Sequence, residues 1–215
     1  KVGRIMGELV GRAEKISFKP QEKEIFERIF AVMSVIDFMI DDMKREKSGV
    51  IDIIVHENSD IPSLNKALSK LHALIEENGD YESFIAAATR AISYSDKDSL
   101  EDRHREALYL GKAIAVAVCK DEEKREHLIS IFGILTSMGN ALDDVMDYKK
   151  DGKDIQWAYE RVHLAMRQIK KLYGASDQAN TYLFTSALAA LTLYGRRIIP
   201  ASIRQRVVTK SLSTK

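Results

Sequence analysis

Apolar residues recur every three or four positions along nearly the whole chain, while the two-residue alternation of strands bounded by paired turns is almost absent. That pattern predicts an all-α fold. Helices are expected near residues 4–15, 21–46, 62–78, 80–94, 98–119, 122–150, 153–173, 176–195 and 200–211. Pro20, Pro62 and Pro200 each fall at an expected helix start, where a missing N–H costs least. The connections are short: Lys47-Ser48-Gly49, Asn78-Gly79, Asp151-Gly152 and Gly174-Ala175. The apolar run GVIDIIVHE, Gly49 to Glu57, reads as an irregular connector in which a short strand competes. No fixed-period repeat, low-complexity stretch or break in composition divides the chain, so residues 1–215 are expected to form a single-domain bundle of eight or nine helices.

Composition narrows the function classes. With 45% hydrophobic and 30% charged residues and eleven Gly, the chain is neither disordered nor collagen-like, and its single Cys, Cys119, allows no internal disulfide. The formal net charge of +1 supplies no global field for gripping nucleic acid, which is not expected as a partner. No apolar stretch is expected to reach the roughly 18 residues of a membrane span, and the start, KVGRIMGELVGRAEK, lacks the apolar centre of a signal peptide. The expectation is a cytoplasmic protein. Beyond Gln178 there are six bases and no acids: Arg196, Arg197, Arg204, Arg206, Lys210 and Lys215. Peripheral contact with a membrane and a solvated, frayed terminus are both open for that segment. A second copy of the chain is a further open partner. The five histidines, His56, His72, His104, His127 and His163, show no ligand spacing and read as surface or packing residues. No GxxxxGK[ST], GxGxxG or GxSxG run occurs.

Two helices carry acids where burial is expected. From Ile25 to Met43, thirteen of nineteen residues are apolar, the composition of a helix deep in a bundle. At 100° per residue, Asp37 and Asp41 lie within about 40° of each other, and Phe26 and Phe30 precede them on the same stripe. The helix from Glu122 to Lys150 repeats the arrangement: Asn140, Asp143, Asp144, Asp147 and Asp151 line up, continued backward by Ile129, Gly133 and Thr136. Carboxylates four residues apart repel one another by about 0.2–0.5 kcal/mol even on an exposed helix, and a cation would reverse that sign. Oxygen donors without a Cys or His cluster suit Mg²⁺ or Mn²⁺ better than Zn²⁺. Two such stripes above apolar walls would suit a phosphorylated head on a greasy body. A solvated polar face accounts for either stripe taken alone.

At these residues the chain resembles the class I isoprenoid synthases, and among them the squalene/phytoene synthase family. FAVMSVIDFMIDD, Phe30 to Asp42, is similar to that family's first acidic motif, with Asp37 and Asp41 at its outer aspartates. FGILTSMGNALDDVMDY, Phe132 to Tyr148, is similar to the second, with Gly133, Asn140, Asp144 and Asp147 at matching positions; DDVMD, Asp143 to Asp147, equally resembles the second DDxxD of chain-elongating prenyl diphosphate synthases. YLGKAIAVA, Tyr109 to Ala117, is a weaker echo. The sequence departs from the pattern at Ser34, Phe38, Ser137 and Tyr148, where the family has Arg, Asp, Gln and an acid. The resemblance implies a Mg²⁺-dependent transferase that ionises an allylic prenyl diphosphate to a carbocation for prenyl condensation. It implies Asp37, Asp41, Asp144 and Asp147 as catalytic metal ligands, with Asn140 and Asp143 added. Phe26, Phe30, Gly133 and Thr136 would line the tail cavity. Lys44 and Arg45, with Lys149, Lys150 and Lys153, match no motif position of the family but are the bases nearest the acids in sequence, and a place at the diphosphate and a place on the solvated surface are both open for them. The departures keep open a non-catalytic helical relic that binds a prenyl lipid or a protein, and chain elongation or cyclisation remain alternative activities.

Overall fold

The computed structural model describes residues 2–95, 99–149, 152–174 and 180. Those residues form an all-helical bundle of eight helices: α1 (Val2–Glu14), α2 (Pro20–Asp41), α3 (Lys47–His56), α4 (Pro62–Asn78), α5 (Tyr81–Tyr94), α6 (Leu100–Val118), α7 (Glu122–Asp147) and α8 (Ile155–Tyr173). Among the described residues there is no strand. The expected helix 200–211, all of the expected helix 176–195 except Asn180, the basic residues from Arg196 to Lys215, and Lys150 and Asp151 lie outside the described residues.

Local chemistry sets the helix starts. Pro20 and Pro62 stand at first-turn positions of α2 and α4. Asp80, Ser99, Asp121 and Asp154 each accept a backbone N–H from their own first turn, at Ser83, Asp102, Lys124 and Trp157. Each such cap contributes about 1 kcal/mol.

Two expectations are corrected here. The run read as a connector is helix α3, because Val50, Ile53 and Ile54 share one face at helical spacing and bury it in the core. Helix α2 stops at Asp41 instead of continuing to residue 46. There Lys44 turns left-handed at φ 54° and the Arg45 N–H closes onto Met39 O at 2.9 Å, a stop that uses carbonyls the helix would leave unpaired.

The main core runs through α1 to α7. Phe26 is fully enclosed, with its ring 5.1 Å from Phe18 and 5.4 Å from Phe132. Burial of such a side chain is worth about 1.5–3 kcal/mol. A smaller apolar cluster, Ile134, Met138, Ala141, Ala165 and Ile169, joins α7 to α8. Helices α6 and α7 touch backbone to backbone: a Cβ on Gly111 would lie 2.4 Å from Gly133 N. By length and composition α7 is apolar enough over Glu122–Met146 to cross a membrane, contrary to the expectation that no stretch would be. The same apolar content serves a central bundle helix packed on α6 and α8.

Candidate functional site

A cavity of about 430 Å³ opens between α2, α3, α4, α5, α6 and α7, with Lys153, just before α8, and Trp157, in its first turn, beside it. Each wall is a helical stripe. Helix α5 presents Phe84, Ala88, Ala91 and Ile92, and α6 presents Arg103, Glu106, Leu110 and Ala113, all at spacings that share one face. Leu68 and Leu71 of α4 and Ile54 of α3 belong to the main core and line the apolar part.

Both acidic stripes reach this cavity. Asp37 and Asp41 of α2 and Asn140, Asp143 and Asp144 of α7 all line it, and Phe30, Met33 and Ile40 continue the α2 stripe along its wall. Asp37 is exposed and marks the solvent side, whereas Asp41, Asn140 and Asp143 are half-buried. Ser34, at the position where the resembled family has Arg, also lines the wall, and its hydroxyl donates to Phe30 O at 2.7 Å. Phe38 is buried in the protein. Asp147 closes α7, and its side chain lies outside what is described.

Three residues expected along the tail cavity are elsewhere. Phe26 packs into the aromatic cluster with Phe18 and Phe132. Gly133 lies against Gly111 of α6. The Thr136 hydroxyl has Ala107 O and Phe132 O within hydrogen-bond reach at 2.5 and 2.7 Å, and the first of these contacts ties α7 to α6. The shared helical stripe that suggested these positions turns away from the cavity as α2 and α7 pass into the core.

Lys44 and Arg45 are also displaced, because α2 ends before them. Lys44 is exposed, and Arg45 makes a two-pronged ion pair with Asp60 at 2.5 and 2.6 Å. Lys153 does line the cavity, with its ammonium 5.7 Å from the centre of the Trp157 ring.

The largest departure concerns Asp144. It is 3% exposed, and both its oxygens are held by arginines: Arg103 Nη2 donates to Oδ1 at 2.7 Å and Arg161 Nε donates to Oδ2 at 2.8 Å. Arg161 is itself 1% exposed. Both oxygens are already engaged by guanidiniums, so in this arrangement Asp144 is the centre of a buried ion-pair bridge. Arg103 extends the bridge to Glu106 at 2.6 Å. Burial works against the Arg103 charge, yet Glu106 and Asp144 outweigh it and hold the guanidinium protonated more firmly than usual.

Neither arginine stood out in the sequence. Arg103 lies 41 residues before Asp144 and Arg161 lies 17 after it. One signal was present: Arg103 shares a helix face with Leu110 and Ala113, a charge at the end of an apolar stripe.

Behind the bridge a polar layer continues between α6, α7 and α8. His104 Nδ1 lies 3.3 Å from Ser137 Oγ, and its Nε2 lies 3.2 Å from Gln168 Nε2. Burial, followed by the nearby Arg161 charge, lowers the His104 pKa. His72 is likewise buried, 2.7 Å from Glu57 Oε1 and stacked edge-on against Tyr81.

The remaining oxygen donors, Asp37, Asp41, Asn140 and Asp143, have the hard chemistry that Mg²⁺ prefers. Among the described residues no three Asp, Glu, His or Cys side chains cluster closely enough to enclose a metal by themselves. Mg²⁺ typically takes only one or two carboxylates and completes its octahedron with water and substrate phosphate, so the donor set fits an ion that arrives with a phosphorylated ligand. Compared with known proteins, the chain matches no family model, no curated protein and no solved structure.

Proposed function

We propose that this protein binds an allylic prenyl diphosphate, with the hydrocarbon chain in the cavity and the diphosphate at the acid end, and ionises it as class I isoprenoid synthases do. A single observation carries the reading: carboxylates from two helices far apart in sequence, Asp37 and Asp41 on α2 and Asp143 on α7, line one cavity whose remaining wall is largely apolar. A solvated polar face on each helix would not require the two stripes to share a cavity.

Asp37 and Asp41 on one side, with Asn140 and Asp143 on the other, would hold Mg²⁺. Bound there, the ion supplies Lewis-acid stabilisation to the departing diphosphate. The chain's own residues do the rest. Lys153 brings positive charge to the cavity wall, where a diphosphate needs it. Phe30, Met33, Ile36, Leu68 and Phe84 surround the hydrocarbon and exclude the water that would quench an allylic cation.

A second reading is binding without catalysis, and it has its own support. Asp144 is occupied by two arginines, and Phe38 and Tyr148 stand where the resembled family has acids. Incubation of the purified chain with geranyl, farnesyl and geranylgeranyl diphosphate, with and without Mg²⁺, separates the two. Metal-dependent release of inorganic diphosphate is expected from an enzyme. Retained binding with no release at any chain length leaves the binding protein, and neither binding nor release removes both.

A further inference from the structure

The size of the cavity limits what it takes, given the prenyl diphosphate reading on which this inference rests. An apolar protein cavity of about 150 Å³ holds one benzene, which is about 25 Å³ for each of its non-hydrogen atoms. On that scale the 430 Å³ here accommodates about 17 non-hydrogen atoms. One fifteen-carbon chain fills it, with the diphosphate at the rim beside exposed Asp37. Two such chains, about thirty atoms, exceed it nearly twofold.

Part of the wall is fixed in the core. Leu68, Leu71, Phe84 and Ile54 line the cavity, and all four are buried members of the main core. Close-packed interiors resist displacement, because every side chain that retreats must displace another. Ala88 and Ala91 of α5 already give the cavity the room that small side chains can give.

We infer that the site takes a single prenyl chain of about ten to fifteen carbons and is not a site for joining two long chains, so that the head-to-head condensation implied by the resemblance is not the reaction of this protein.

The test is calorimetric titration of the full chain, in Mg²⁺, with the unreactive thiolodiphosphate analogues of geranyl, farnesyl and geranylgeranyl diphosphate. The expected result is one equivalent bound, affinity rising at least tenfold from the ten-carbon to the fifteen-carbon analogue, and no further rise at twenty carbons. Ala88→Leu, which adds three carbons inside the cavity, is expected to weaken the fifteen-carbon analogue at least tenfold and the ten-carbon analogue less than threefold. Thermal unfolding of the variant confirms that it is folded, and if it is not, the wild-type stoichiometry and chain-length series decide alone. Two equivalents of the fifteen-carbon analogue, or tighter binding at twenty carbons, would overturn the single-chain inference while leaving the ligand class intact. Failure of all three analogues to bind would instead overturn the prenyl diphosphate reading, and this inference with it.

Discussion

Arg161 Nε donates to Asp144 Oδ2 at 2.8 Å, and the two side chains are 1% and 3% exposed. A buried pair of this kind gains little over an apolar pair of the same shape, but removal of one partner strands a charge in the interior. Arg161→Met is therefore expected to cost about 3–5 kcal/mol of unfolding free energy. Arg103, still 2.7 Å from Oδ1, softens the loss toward the lower end. Asp144→Leu combined with Arg161→Met should recover part of it, although Arg103 then loses one of its two acid partners. Urea denaturation of the single and double variants measures the coupling, and additive losses would show that the pair does not act as a unit.

The same bridge separates two roles for acids that look alike in sequence. Asp37→Asn removes a carboxylate on the solvent side of the cavity, whereas Asp144→Asn removes the centre of a buried ion-pair network. Asp37→Asn is expected to raise the Mg²⁺ concentration that half-saturates diphosphate binding by tenfold or more, with a change in stability within about 0.5 kcal/mol. Asp144→Asn is expected to lower the urea midpoint strongly. Titration with Mg²⁺ beside a urea curve for each variant checks the division, and a larger metal effect from Asp144→Asn would reverse the assignment.

Much of this was legible in the chain. The 3.6-residue periodicity pointed to seven of the eight helices but not to α3, and the acid stripes were visible because Asp37 and Asp41, or Asn140, Asp143 and Asp144, sit at local helical spacings. Long-range pairing leaves no such trace, which is why Arg103 and Arg161 were missed as partners of Asp144. Lys44 and Arg45 were misplaced for a different reason: a wheel drawn through them assumes that the helix continues, and α2 ends at Asp41. Phe26 and Gly133 show the limit of a stripe, since one helix face can line a cavity at one end and a packed core at the other.

His104 gives the bundle a dependence on pH. Burial, then the facing Arg161 charge, holds its pKa below the ordinary 6.5. Between the lowered value and 6.5 the unfolded chain binds more protons at this site than the folded chain does, so stability rises with pH. The stabilisation is complete above the unfolded value and is lost as pH falls from about 6.5 through the folded pKa. Urea midpoints measured from pH 7.5 down to about 5 should decline, and His104→Gln should flatten part of that decline. An unchanged slope in the variant would place the pH dependence on other groups.

The two glycines that face each other across α6 and α7 should respond unequally to the same substitution. A Cβ at Gly111 would lie 2.4 Å from Gly133 N and 2.5 Å from Phe132 C, and a helix backbone cannot yield locally. A Cβ at Gly133 would meet the Leu108 side-chain end at 3.1 Å, and Leu108 is among the exposed apolar residues, free to rotate aside. Gly111→Ala is therefore expected to destabilise by at least about 1–3 kcal/mol through overpacking. Gly133→Ala gains up to about 1 kcal/mol of helix propensity against a small repacking cost, so it should be neutral or mildly stabilising. Because Gly133 points at α6 and not into the cavity, Gly133→Ala should also leave ligand affinity unchanged within about twofold. Thermal unfolding of both variants, with titration of the fifteen-carbon analogue into the second, checks all three expectations. A loss of ligand affinity in Gly133→Ala with stability retained would return that residue to the cavity wall.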